Sequence, residues 1–310
     1  MVVAFLAYVT RFFKPIQELS QLYTTMQAAM AGGERVLEIL DTAPQVADRP
    51  DALEMPATRG FVEFDHVHFA YREAVEGLQD ISLRIEAGQT VAFVGPTGAG
   101  KSSITNLVAR FYDLTAGVVR IDGLDVRDVR QRSLRSQMGL VPQDPFLFPG
   151  TLAENIAFGR PEAPLEAIQA AAGLARIHDF IMSLPDGYQT KVSEGSSNLS
   201  LGQRQLICIA RAALADPRIL ILDEATASVD TVTEAFIQDA IDRLLAGRTA
   251  LVIAHRLSTI QQADLICVVH EGRIVEQGQH AALLAQGGLY REMIVQQLSL
   301  IHISEPTRPY

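Results

Sequence analysis

The stretch from Val91 to Ser103, VAFVGPTGAGKSS, constrains this chain more than any other. An apolar run, Val91 to Val94, ends at Gly95; a loop carrying Gly95, Gly98 and Gly100 follows; Lys101, Ser102 and Ser103 then open a helix-compatible segment, ITNLVARFY. Residues 95–102 satisfy the phosphate-loop pattern G-x-x-x-x-G-K-[ST] in a strand–loop–helix setting. Glycines let successive backbone N–H groups converge on an anion, and the start of a helix adds the positive end of its dipole. Lys101 can reach the outer phosphates, and the Ser102 hydroxyl can ligate Mg²⁺. A nucleoside triphosphate is the ligand that this pattern implies.

The rest of the chain has to supply a sheet around that strand. Its 310 residues allow one large α/β domain with an appendage, or two modest domains. Hydrophobic residues make up 48 %, and the mean hydropathy of +0.15 suggests a membrane connection. The net charge of −10 advertises no basic surface for nucleic acid or anionic lipid. Cys208 and Cys267 lie in apolar runs and read as buried thiols, with no metal spacing or disulfide framework. Met1–Thr10 is apolar but lacks the basic start and cleavage site of a secretory signal.

Along the chain, Met1–Val9 falls far short of the ~20 apolar residues of a membrane span. Ile16, Leu19, Leu22, Tyr23, Met26 and Met30 recur at helical spacing; Gly32 and Gly33 weaken that pattern, and Glu34–Leu40 resumes it. Prolines 44, 50 and 56 among acidic residues read as a linker. Strand signals run through Phe61–Tyr71, Ile81–Ile85, Val91–Val94, Gly117–Ile121 and Gly139–Val141. They return at Ile219–Leu222, Thr249–Ile253, Leu265–Val269 and Arg273–Val275, with helical segments alternating among them. Alternation of this kind predicts a parallel, doubly wound sheet, and the helical block from about 149 to 215 reads as an inserted subdomain.

Ile219-Leu-Ile-Leu-Asp223-Glu224 is an unbroken apolar run ending in two acids. Such a run suits a strand buried on both faces, and ligands of open α/β sheets sit at strand carboxyl ends. Successive side chains point to opposite faces, so Asp223 can serve Mg²⁺ while Glu224 acts on an attacking water as general base. Adjacent acids after a strand also serve as helix caps; pairing with the phosphate loop favours the catalytic reading.

The order of these motifs resembles that of an ATP-binding cassette (ABC) ATPase, the nucleotide-binding domain of an exporter. Tyr71, in HFAYREAVEGLQDISL, is similar to the aromatic on which adenine stacks, although Phe69 lies close enough to compete. Gln143, in LVPQDPFLFPGTLAENI, resembles the glutamine that joins the sheet core to the helical subdomain and senses Mg²⁺ and water. Leu199-Ser-Leu-Gly-Gln203 resembles the family signature, with Leu201 where glycine is most often found. A leucine there would cost most if the site required positive φ or close backbone approach. Ala227-Ser-Val-Asp230 resembles the loop after the catalytic glutamate, His255 the switch histidine on the γ-phosphate, and Thr190–Gly195 the exporter segment near membrane-domain loops.

The resemblance covers about Phe61 to Gln297. It implies a phosphate-loop NTPase of RecA-like fold: a parallel sheet core with antiparallel strands, an inserted α-helical subdomain, and a preceding helical membrane-domain remnant. It implies ATP and Mg²⁺ as ligands. ATP would be bound by Tyr71, Gly95, Thr97, Gly98, Gly100, Lys101, Ser102, Ser103 and Asp230, with Ser200, Gly202 and Gln203 contributed by a second copy. Mg²⁺ would be held by Ser102, Gln143 and Asp223, and catalysis carried by Glu224, His255 and Gln143. It further implies a homo- or heterodimer joined to transmembrane domains, on the cytoplasmic face of a bacterial cell membrane, with no nucleic-acid partner. The expected division is 1–41 as the end of the last transmembrane helix and its extension, 42–58 as linker, and 59–297 as the nucleotide-binding domain. Residues 298–310 resemble a translated sequencing adapter and are expected to be a non-native tail. Two rival functions stand beside this one: a soluble cassette ATPase acting on nucleic acid or ribosomes, and a non-hydrolysing ATP-binding regulatory module. The apolar start and acidic charge weigh against the former, and Lys101, Asp223, Glu224 and His255 against the latter.

Overall fold

Every residue of strand Val91–Val94 is buried, because it lies between two cores. The side chains divide by parity. Val91 and Phe93 enter one core, and Ala92 and Val94 the other. The same alternation holds next door, where Leu251 faces one core and Ala250 and Val252 the other. This is the period-2 geometry of a strand covered on both faces.

The computed structural model describes residues 1–72, 75–193, 198–223, 231–254 and 256–303, with the side chains of 72, 75, 76, 231, 232 and 297–303 left aside. The strands are β1 (Val62–Arg72), β2 (Val75–Ile85), β3 (Thr90–Val94), β4 (Ala116–Ile121), β5 (Leu124–Asp125), β6 (Met138–Val141), β7 (Gly150–Thr151), β8 (Lys191–Val192), β9 (Ile219–Asp223), β10 (Thr249–Ile253), β11 (Leu265–His270) and β12 (Arg273–Gly278). The helices are α1 (Val2–Asp41), α2 (Lys101–Val108), α3 (Gln131–Arg135), α4 (Leu152–Ala157), α5 (Leu165–Leu174), α6 (His178–Ser183), α7 (Leu201–Ala215), α8 (Thr231–Leu245), α9 (Leu257–Gln262), α10 (His280–Gln286) and α11 (Leu289–Ile303).

The central sheet runs β12-β11-β3-β10-β9-β6, with β11, β3, β10, β9 and β6 parallel and β12 antiparallel at one edge. A second, antiparallel sheet runs β2-β1-β4-β5. Its inward residues Val62, Phe64, Val67, Leu78, Ile81 and Val119 share a core with Val91 and Phe93. On the other face of the central sheet, Ala92 and Val94 share a core with residues of α4, α5, α7 and α8. The fold class expected from the motif order is the one observed.

Two units divide between Ala47 and Asp48. The first holds α1, forty residues with Pro15 inside and no buried residue. Gly32 and Gly33, which weaken the helical pattern, do not interrupt it; each costs about 1 kcal/mol relative to alanine, spread over a long helix. Among the described residues, no helix is long and apolar enough to cross a membrane. In the second unit, part of the proline-rich segment is docked. Leu53 N donates to Asp128 O at 2.9 Å, Arg130 N donates to Leu53 O at 2.8 Å, and Ala52 and Met55 are buried. α11 continues past residue 297 to Ile303.

Asp122 ties that segment to the antiparallel sheet. Its carboxylate accepts from Thr58 Oγ1 at 2.6 Å, Arg59 N at 2.6 Å and Phe61 N at 3.0 Å. Burial alone would raise its pKa, but these donors outweigh burial and hold it below the ordinary carboxylate value. A depressed folded pKa means stability that is full above the unfolded value of about 3.9 and lost as pH falls through the folded value. Asp122→Ala is expected to cost about 1–3 kcal/mol at neutral pH. In denaturant titrations, the gap between wild type and variant should close below about pH 4. A gap that stayed constant would mean that the ionised carboxylate contributes nothing.

Candidate functional site

The buried strand β3 delivers the phosphate loop to the carboxyl edge of the sheet, and backbone crowding there explains its glycines. A Cβ on Gly95 would lie 2.1 Å from Val269 O. One on Gly100, which caps α2 with φ 108°, would lie 2.8 Å from Leu78 Cδ2 and 3.0 Å from Gly77 O. Other side chains would strain both positions. α2 begins at Lys101, so its unpaired N–H groups face the loop.

Lys101 is 6 % exposed, and its Nζ donates to Gly95 O at 2.7 Å and Pro96 O at 2.9 Å. Burial lowers its pKa, while the nearby Asp223 carboxylate acts in the opposite direction. The ammonium is therefore desolvated and held by two carbonyls, so an arriving polyanion would meet a cation already positioned.

Lys101 lies in a cleft of about 670 Å³ that Tyr71, Thr97, Gly98, Gly100, Ser102, Ser103, Gln143 and Asp223 also line. Nine sequence-predicted residues thus meet in one place, drawn from β1, the loop, α2, the segment after β6 and the end of β9. Ser102, Gln143 and Asp223 present hard oxygen donors to it, a set that fits Mg²⁺. Tyr71 is 49 % exposed, whereas Phe69 is 3 % exposed. Burial separates the two rings: Phe69 meets Tyr71 edge-on at 4.6 Å, and of the pair only Tyr71 lines the cleft. Tyr71 Oη and Ser103 Oγ share a hydrogen bond at 2.9 Å.

Gly77, Gln79, Ile253, Glu271 and Gly272 complete the lining and were not singled out from sequence. Gly77 crowds Gly100, and Gly272 N donates to Ala99 O at 3.0 Å while Gln79 N donates to Gly272 O at 2.8 Å. Glu271 and Gly272 both have positive φ, 47° and 75°, in the turn between β11 and β12. An acidic residue followed by glycine between apolar strands is the available signal for that hairpin.

Ser200, Gly202 and Gln203 do not line this cleft. Ser200 instead caps α7: its Oγ accepts from Gln203 N at 3.2 Å, and its N donates to Gln203 Oε1 at 2.9 Å. Leu201 is the first residue of that helix and is not among the positive-φ residues. The backbone thus has no conformational need for glycine at 201. Glu224, Asp230 and His255 lie outside the described residues, as do Glu194 and Gly195. Asp223 ends β9 immediately before Glu224, and Ile253 ends β10 two residues before His255.

Residues 78–227 match the family model described as ABC transporter. The chain is 50 % identical over 290 residues to a fatty acid ABC transporter ATP-binding/permease protein of Mycobacterium bovis, covering 94 % of this chain and 46 % of that protein. It is 44 % identical over 307 residues to human ATP-binding cassette sub-family B member 6, covering 99 % of this chain and 36 % of that one. A solved bacterial Atm1-family ABC exporter with ATP bound superposes with a TM-score of 0.82 at 42 % identity, covering 97 % of this chain and 52 % of that chain. The chain spans about half, or less, of the length of these proteins.

Because Leu201 occupies an ordinary first helical position, Leu201→Gly should not stabilise the protein. The expected outcome in chemical denaturation is a loss of up to about 1 kcal/mol from glycine's backbone entropy. A gain would show strain at residue 201.

Proposed function

Since the chain belongs to the ABC transporter family and carries its ATP-binding domain, we propose that it hydrolyses Mg-ATP between two copies and thereby powers export across a membrane. One observation supports the site assignment most: Lys101, Ser102, Gln143 and Asp223, contributed by three separate segments, line a single cleft. The triphosphate sits on the N–H groups of the loop and the start of α2, where Lys101 exchanges the carbonyls of Gly95 and Pro96 for phosphate oxygens. Tyr71 offers its exposed ring to the base. Mg²⁺ would be held by Ser102, Gln143 and Asp223, and when bound it supplies positive charge against the phosphate oxygens.

Glu224 accepts the proton of the attacking water, and His255 contacts the γ-phosphate. Ser200, Gly202 and Gln203 reach the phosphates of a facing copy, which agrees with their absence from this copy's own cleft. The N-terminus of α7, capped by Ser200, is then the second helix end aimed at the same triphosphate. Asp230 adds to the binding of ATP. ATP closes the pair and hydrolysis reopens it, and the helical block passes the motion to transmembrane domains. Membrane association follows from partnership with such domains, with the nucleotide site on the cytoplasmic face. The relative from Mycobacterium bovis is described as a fatty acid transporter; the substrate contacts of a transporter lie in its membrane helices.

Lys101→Ala is expected to abolish tight Mg-ATP binding in calorimetry, since charge-assisted hydrogen bonds contribute about 1.5–3 kcal/mol each. Glu224→Gln should retain binding, slow phosphate release by about 10²–10⁴-fold, and accumulate as an ATP-dependent dimer in size-exclusion chromatography. Unchanged affinity in the first variant would overturn the phosphate site. Undiminished hydrolysis in the second would move the base elsewhere.

A further inference from the structure

We propose that Tyr112 is a positioning residue for the nucleotide base: it holds the Tyr71 ring in place for stacking, so a residue outside the cleft sets part of the affinity for a base. Tyr71 is half-exposed, and a half-exposed ring has side-chain freedom to lose when a base settles on it. Three contacts remove that freedom beforehand. Phe69, buried in the core under the antiparallel sheet, meets Tyr71 with ring centroids 4.6 Å apart at 76°. Tyr112 meets Tyr71 at 5.1 Å and 85°, and meets Phe69 at 5.5 Å, which closes a triangle of rings. Near-perpendicular pairs at such separations are a geometry that aromatic rings favour. The hydrogen bond between Tyr71 Oη and Ser103 Oγ ties the tip of the ring to the first turn of α2. Tyr112 itself is half-buried against the same core as Phe69 and does not line the cleft.

Tyr112 can restrain a neighbour only if its own place is fixed, and the chain fixes it on both sides. α2 ends in a Schellman arrangement: Arg110 takes a left-handed φ of 50°, Arg110 N donates to Leu107 O at 3.1 Å, and Phe111 N donates to Asn106 O at 2.9 Å. Positive φ is uncommon for arginine. The buried Arg110 guanidinium holds it there, donating to Val129 O at 3.2 Å and to Asp113 Oδ1 at 3.0 Å. On the other side, Thr115 N donates to His68 O at 2.9 Å, and Ala70 N donates to Thr115 Oγ1 at 3.2 Å. The segment is thereby laced to β1, the strand that carries Phe69 and Tyr71. Tyr112 thus bears on Tyr71 from backbone held at both ends. The restraint stands on this packing alone; its effect on a base rests on the nucleotide reading above.

Two measurements on the full chain separate these parts. The chain has no tryptophan, so Tyr71→Trp places a single fluorescent ring at that position. Without nucleotide, adding Tyr112→Leu, which keeps apolar bulk against the core but no ring, should raise the amplitude of nanosecond depolarisation about twofold or more. Tyr112→Phe should leave it unchanged. An amplitude that Tyr112→Leu does not alter would overturn the restraint. With Tyr71 in place, calorimetry then compares Mg-ATP with Mg-ribose 5-triphosphate, which lacks the base. Tyr112→Leu should weaken ATP binding about three- to tenfold, the effect of one aromatic pair, and leave ribose 5-triphosphate within about twofold. Tyr112→Phe should restore the affinity for ATP. Equal losses for both ligands would mark a merely structural role and overturn the proposal, as would an unchanged ATP constant. Equal wild-type affinity for the two ligands would overturn the base assignment of Tyr71 and the positioning role with it. Failure of wild type to bind either triphosphate would overturn the nucleotide reading, and depolarisation would still decide the restraint.

Discussion

The double burial of β3 is the constraint on which the other features depend. Val91 and Phe93 must satisfy the core under the antiparallel sheet while Ala92 and Val94 satisfy the core under the helices. A strand held from both sides cannot slip, since a shift of one residue would exchange every side chain between the cores. Its carboxyl end therefore arrives at a defined height, between β10 and β11, and the loop that follows inherits that position. The crowding around Gly95 and Gly100 is the consequence: backbone from Val269 and Gly77 closes on the loop so tightly that only hydrogen fits.

Desolvation then does the electrostatic work. Lys101 is nearly buried and held by two carbonyls, and Asp223 stands near enough to influence its charge. Carbonyl oxygens are weaker partners for an ammonium than phosphate oxygens, so the loop holds its cation in place without spending it on a permanent salt bridge. The α2 N–H groups complete the anion-binding end, and the turn at Glu271–Gly272 locks the loop to the edge of the sheet through Ala99 and Gln79.

The signature segment illustrates a different use of local structure. Ser200 and Gln203 satisfy each other's backbone donors, which fixes the start of α7 whatever stands at position 201. Leucine in place of the customary glycine is then a change of side chain at a helical position, not a change of backbone. A helix end fixed in this way, whose residues do not line their own chain's cleft, suits the facing copy proposed above.

Much of this was legible in the residues themselves. The phosphate loop carries its own chemistry in G-x-x-x-x-G-K-S, and the apolar runs before Gly95 and Asp223 announce strands buried on both faces, because no half-exposed strand tolerates such runs. The helical block and the alternation of strands and helices follow from periodicity alone. Tertiary structure decided the rest. Whether Phe69 or Tyr71 is available for stacking depends on which ring the second sheet covers, and burial falls on Phe69. Gly77, Gln79 and Gly272 join the cleft through backbone contacts between segments nearly two hundred residues apart, and a hairpin signal at Gly272 says nothing of which distant strand the turn meets. Leu53 and Met55 read as linker because prolines surround them, yet a neighbouring ladder to Asp128 and Arg130 recruits them.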